Sequence, residues 1–211
     1  MYKIPFLIVL ILAVFSPWID WHLSHFIYQQ NGGFYDKNEF LRFCFHYGTW
    51  PAWICTCLCF IPFIFKRFRI YRIPAALFFL SAIIGCVLIV EGIKEFWPRP
   101  RPIQLIEFGG SFSYRSWFEP IYEGFPQKSF KSFPSGHAAA GFLFLSLFWG
   151  GVAIKKRLLK VVGLVTGLTL GVLLSTVRIF MGGHFFFDTA ASFALMWFLP
   201  ALLLKVYRWK S

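Results

Sequence analysis

A chain of 211 residues that is 58% hydrophobic and only 14% charged, with mean hydropathy +0.64, carries too little charge for a water-soluble domain of its length. Its formal net charge of +12 comes from 21 Lys and Arg against 9 Asp and Glu, yet those cations are divided among short segments beside apolar runs. That division fits membrane topology and anionic lipid headgroups; with no nucleic-acid motif present, a nucleic-acid partner is excluded as its cause.

Six apolar runs approach the roughly 17 to 25 residues that a helix needs to cross a hydrocarbon core of about 30 Å. They are residues 4–19, 49–65, 73–93, 138–154, 158–177 and 185–204. They predict an all-α polytopic bundle of six transmembrane helices, one domain over residues 1–211, with no repeat or linker to divide it. No protein partner is expected.

In chain order, Lys3 and the apolar stretch after it have the look of a signal peptide. The helix is the better reading, because Phe15, Pro17 and Trp18 stand where a small-residue cleavage site should lie and suit a membrane interface. Ser16-Pro17 interrupts this run, and Pro51 and Pro62 mark the second; neighbours can re-satisfy the backbone around such prolines. Between them, residues 20–48 are predicted as an outer connection of about 29 residues. Cys55, Cys57, Cys59 and Cys86 lie inside apolar runs as small hydrophobes, and the alternate spacing of the first three scatters them around a helix. Cys44 stands outside. Neither a shared metal site nor a disulfide framework is implied.

The third run ends at Lys94, and Arg101 follows in a segment stiffened by Pro98, Pro100 and Pro102, which supplies two anchored cations. Arg99 between them reads as an interfacial side chain that snorkels to water. The connection over residues 94–137 is too long to be structureless unless it is functional. Its Arg115, Lys128 and Lys131 read most simply as solvated loop charges, with contact to a second phosphate or a glycan head as the alternative.

Pro134-Ser135-Gly136-His137 immediately precedes the fourth run, so Ser135 is placed to cap a helix whose first N–H groups would face an anion. Gly136 permits close backbone approach, and His137 in the first turn can reach the same anion. Arg178 closes the fifth run, Gly182-Gly183 makes a tight return, and His184 opens the sixth with Asp188 four residues on. That spacing puts imidazole and carboxylate on one face, so Asp188 is expected to hold one ring nitrogen. An acid inside an apolar run is costly and is functional by default. Together these residues offer what a phosphate ester requires: several cations, backbone donors, a nucleophile and an acid for the leaving oxygen.

Charge counting places these segments together. Lys3, the cluster Lys66, Arg67, Arg69 and Arg72, the cluster Lys155, Lys156, Arg157 and Lys160, and Lys205, Arg208 and Lys210 contain no acid, and short basic connections stay cytoplasmic. Both termini are therefore expected inside, with every acid and histidine at the opposite, outer face or at its edge.

Lys-x6-Arg-Pro, Pro-Ser-Gly-His and Arg-x5-His-x3-Asp, in this order, resemble the three signature motifs of the type 2 phosphatidic acid phosphatase (PAP2) superfamily, over roughly residues 94–188. The resemblance implies a metal-independent phosphatase with no cofactor. In it His184 attacks phosphorus, Asp188 orients it, His137 protonates the leaving group, and Lys94, Arg101 and Arg178 hold the phosphoryl oxygens with help from Ser135 and Gly136. One departure is visible: the family's third motif usually begins Ser-Arg, whereas Val177 precedes Arg178 here, which implies one phosphate hydrogen bond fewer. The six apolar runs set the chain apart from the soluble acid phosphatases and vanadate-dependent haloperoxidases of the superfamily.

The implied substrate is a lipid phosphate or pyrophosphate at the periplasmic face of a bacterial inner membrane: lipid A, undecaprenyl pyrophosphate, phosphatidylglycerophosphate or phosphatidic acid. Residues 101–110 and the aromatic loop beyond them resemble bacterial lipid A phosphatases. Two alternatives remain, a phosphotransferase using the same phosphohistidine and a non-catalytic lipid-phosphate binding or transport component.

Overall fold

The computed structural model describes residues 3–120 and 130–210, so Lys128 lies outside the described residues. Helices dominate, and among the described residues the only extended pairing is two isolated bridges, Arg99 with Lys131 and Leu105 with Phe112. Six helical segments are long and apolar enough to cross a membrane: Lys3–Asn31, Glu39–Ile64, Lys66–Phe96, Gly136–Ala153, Arg157–Phe180 and Phe186–Arg208. The all-α six-span reading holds, with longer segments than the apolar runs alone suggested.

The largest extension is in α1 (Lys3–Asn31), which continues twelve residues beyond the predicted end and absorbs the start of the expected outer connection. Asp20 and Ser24 broke the apolar pattern, yet both are buried against the rest of the protein. Pro17 does not interrupt the helix. It cannot donate to the Ala13 carbonyl one turn back, but Ser16 Oγ donates to that oxygen at 2.9 Å and Trp117 Nε1 donates to it at 3.2 Å. Tyr114 adds a hydroxyl donor to the Pro17 carbonyl.

The second segment is built from α2 (Glu39–Tyr47), α3 (Trp50–Leu58) and the short α4 (Ile61–Ile64). Asn38 caps α2 by accepting from the Leu41 N–H, and Pro51 and Pro62 both fall in first turns, where the missing N–H costs nothing. Cys44 is buried on α2 rather than standing outside, and all the cysteines are free. Arg72, opening α5 (Arg72–Leu80), donates to the Pro62 and Phe63 carbonyls at the end of α4. The third segment then widens to π turns over Ser81–Glu91 before α6 (Gly92–Phe96) delivers Lys94.

The fourth segment, α7 (Gly136–Phe142) followed by α8 (Leu145–Ala153), is the most buried of the six. It packs against α9 (Arg157–Phe180) along Gly163, Gly167 and Gly171. A Cβ on Gly167 would sit 2.8 Å from Leu145, and one on Gly171 would overlap the Phe142 ring. Close backbone approach of this kind is how helices associate where lipid is as apolar as the side chains. The last segment is α10 (Phe186–Lys210), with Met196 in the same core as Phe78, Val90 and Leu143. Large side chains such as Leu7, Val14, Leu88, Val165 and Leu202 stay exposed, as surfaces meeting lipid would.

Candidate active site

The C-terminus of α9 and the N-terminus of α7 carry Arg178 and His137, and α2 supplies the surface on which they meet. Arg178 is buried, with its guanidinium carbon 4.6 Å from the Phe45 ring centroid. The His137 ring stacks on the same Phe45 at 4.9 Å and 14°. His137 Nε2 also lies 2.9 Å from the Phe45 carbonyl oxygen. A carbonyl only accepts, so Nε2 carries the hydrogen and Nδ1 is the atom left to exchange a proton.

Ser135 caps α7 as expected, its Oγ accepting from the Ala138 N–H, while its own N–H donates to the Asp188 carbonyl at 3.1 Å. Gly136 leaves room for Lys94: a Cβ there would fall 3.1 Å from the lysine Nζ. That Nζ donates to Glu91 at 2.7 Å. The charges of Arg178, Lys94 and Arg101 all reach His137, and those of Arg178 and Arg101 reach His184. The cations expected to hold a phosphoryl group are thus brought together, and burial lowers the Arg101 pKa, with Asp188 opposing it. Among the described residues the buried Nε atoms of Arg101 and Arg178 have no hydrogen-bond partner, as donors to an anion would not.

His184 is buried in the turn between α9 and α10, where Gly182 adopts φ +63 and Gly183 lies against the Arg178 guanidinium. Its Nδ1 is 2.6 Å from the Ser132 carbonyl oxygen and 3.6 Å from Asp188 Oδ2. This corrects the expectation that Asp188 holds the ring: the Ser132 backbone does so, because Asp188 is already committed. Asp188 Oδ2 accepts from Ser132 Oγ at 2.6 Å and from the Phe185 N–H at 2.9 Å, and its Oδ1 accepts from Arg99 at 2.5 Å. The Ser132 carbonyl fixes the hydrogen on Nδ1 and leaves the lone pair on Nε2. Burial and the charges of Arg178 and Arg101 push the His184 pKa down to about 3, outweighing Asp188, so the ring is neutral.

Arg99 is the second correction. It does not snorkel; it is completely buried between Asp188 and Asp20, bonding the latter at 2.8 Å. Burial works against its charge, but the two carboxylates outweigh that and hold its pKa above the usual arginine value. Val177 is buried in α9, and the nearby Ser175 hydroxyl is spent on the Gly171 carbonyl, so neither replaces the family's usual serine donor. Of the loop charges, Lys131 pairs with Glu95 near the surface. Among the described residues no three His, Cys, Asp or Glu gather where they could hold a metal ion.

Sequence reading missed Phe45, Ser132, Arg99 and Asp20. Asp20 follows the first apolar run instead of lying inside it, so the rule applied to Asp188 did not reach it. Phe45 acts through its ring as well as its carbonyl, and Ser132 through its hydroxyl as well as its carbonyl, but both stand outside the motif segments and no spacing pattern marks them.

The sequence profile of the PAP2 superfamily matches residues 75–211. A curated relative, Lipid A 4'-phosphatase of Francisella tularensis subsp. novicida, is 33% identical over 126 residues, 58% of this chain and 53% of the relative. The chain thus spans about half the length of that relative. No solved structure matches it. With its profile match covering α5 through α10 and all three motif segments, the chain belongs to the PAP2 superfamily.

Proposed function

We propose that this protein is an integral-membrane lipid phosphatase that hydrolyses a phosphate monoester or pyrophosphate of a lipid through a phosphohistidine at His184. The observation that carries the reading is the His184 ring, its Nδ1 2.6 Å from the Ser132 carbonyl oxygen, with Arg178 and Arg101 near it, whose buried Nε atoms have no acceptor among the described residues. The Nε2 lone pair attacks phosphorus while Lys94, Arg101 and Arg178 take up charge on the equatorial oxygens, with Ser135 and Gly136 lending the α7 N-terminus. The bond from phosphorus to the leaving oxygen breaks, and that oxygen takes a proton from His137 Nδ1. A water then attacks phosphorus and gives a proton back to His137; the P–N bond breaks, its electrons return to Nε2, and inorganic phosphate leaves. Metal and cofactor have no part in these steps.

The short basic connections support a site on the outer, periplasmic face of a bacterial inner membrane, with both termini cytoplasmic. The substrate is then a lipid phosphate presented there, and the Francisella relative makes a lipid A phosphate the first to test.

Purified protein in detergent and chelator, given a panel of radiolabelled lipid phosphates, should release inorganic phosphate and hold an acid-labile, base-stable phosphate on the chain. His184→Ala should lose both. Turnover by that variant would refute the phosphohistidine, and label passing to a second lipid would make the protein a transferase.

A further inference from the structure

Asp20, Arg99 and Asp188 form a chain of buried charges reaching from the first helix to the proposed nucleophile. Arg99 Nη1 donates to Asp188 Oδ1 at 2.5 Å, Nη2 donates to Asp20 Oδ2 at 2.8 Å, and Nε donates to the Arg115 carbonyl at 3.2 Å. The guanidinium carbon lies 4.1 Å from the Phe185 ring centroid. The remaining oxygen of Asp20 accepts from the Phe187 N–H at 2.9 Å, one residue before Asp188. All three side chains are buried: Asp188 and Arg99 are 0% exposed and Asp20 is 1%.

Two carboxylates around one guanidinium leave a net charge of −1. Arg99 alone would neutralise Asp188, the acid 3.6 Å from His184 Nδ1. His184 is neutral before reaction and gains formal positive charge when Nε2 takes up a phosphoryl group, because Nδ1 keeps its hydrogen. Negative charge beside the ring therefore matters more in the phosphorylated state than in the resting one. We propose that Asp20 is a positioning residue for the His184 step: it takes up the charge of Arg99, leaving Asp188 both clamped and effectively anionic beside the ring. This rests on the reading of His184 as the nucleophile.

The test uses full-length protein in detergent, p-nitrophenyl phosphate as probe, and rates normalised to the monodisperse folded fraction. Asp20→Asn keeps an acceptor for Phe187 but makes the cluster neutral. Its kcat should fall about 10- to 100-fold, by analogy with the range for carboxylates that orient a metal-ligating histidine from behind, while KM and inhibition by inorganic phosphate stay within about twofold. Asp20→Glu should recover part of the loss. Asp20→Asn combined with Arg99→Gln returns the cluster to −1 and should exceed the Asp20→Asn single variant in kcat.

A merely structural role predicts the reverse order, since the double variant removes more buried contacts. Wild-type kcat in Asp20→Asn, or a double variant slower than the single, would overturn the proposal while leaving the phosphohistidine intact. Activity surviving in His184→Ala would instead overturn the reading beneath it.

Discussion

Replacing Gly171 by alanine should damage both stability and catalysis although the residue lies two helical turns from Arg178. An added Cβ would overlap Cγ, Cδ1 and Cε1 of the Phe142 ring. That ring cannot swing clear, because it is 5% exposed and meets Phe193 edge-on at 5.2 Å and 71°. Overpacking of this kind costs about 1–3 kcal/mol, while alanine in a helix recovers about 1 kcal/mol relative to glycine. Gly92→Ala is the internal control, since no described residue places an atom within 4 Å of a Cβ there and it takes the helical gain without the clash. The two variants should differ by about 1–3 kcal/mol, or about 2–12 °C in the thermal transition of a chain this long.

The displacement also reaches the site. Phe142 lies five residues after His137 on the fourth segment and Gly171 seven before Arg178, so at 1.5 Å per residue the clash sits roughly 7–10 Å from the site along each axis. His137 and Arg178 share the Phe45 ring, and prising α7 from α9 separates them. Misplacement near 1 Å can cost about 100-fold, so kcat/KM of Gly171→Ala should fall between tenfold and that limit. The assay is thermal unfolding in detergent with phosphate release measured on the same preparation. Equal transition temperatures for Gly171→Ala and Gly92→Ala would refute the packing argument.

Ser16→Ala with Trp117→Phe removes both side-chain donors to the Ala13 carbonyl and should cost about 1–3 kcal/mol; adding Pro17→Ala, which restores a backbone donor, should return most of it in the same unfolding assay. His184 is depressed from 6.5 to about 3, so the unfolded chain binds a proton first and this contribution to stability is lost as pH falls from 6.5 toward 3. His184→Gln should therefore lose less of its transition temperature across that range than the unsubstituted protein; parallel curves would contradict a neutral buried ring. Arg178→Lys gives up the flat guanidinium over Phe45 and should raise KM for p-nitrophenyl phosphate about tenfold or more. An unchanged KM would remove Arg178 from the anion site.

The pattern reading located residues that act through distinctive side chains. Lys94, Arg101, His137, Arg178, His184 and Asp188 are chemically conspicuous against apolar helices, and helix ends bring them together. It failed where chemistry passes through the backbone or across long separations. The Ser132 carbonyl, not Asp188, holds His184 Nδ1, and nothing in the side-chain order distinguishes one carbonyl from another. Arg99 reads as a snorkelling interfacial side chain because its partners, Asp20 and Asp188, are remote in the chain. The end of α1 was set too early for a related reason: Asp20 and Ser24 resemble a surface until the groups that bury them are in place.

The pairing of Asp20 with Arg99 also constrains how the protein can be made. Asp20 leaves the ribosome 79 residues before Arg99 and 167 before the Phe187 N–H that holds its other oxygen. During that interval α1 carries an acid whose partners in the folded protein have not yet been made. The contacts that bury Asp20 can therefore be complete only after the start of α10 has been made.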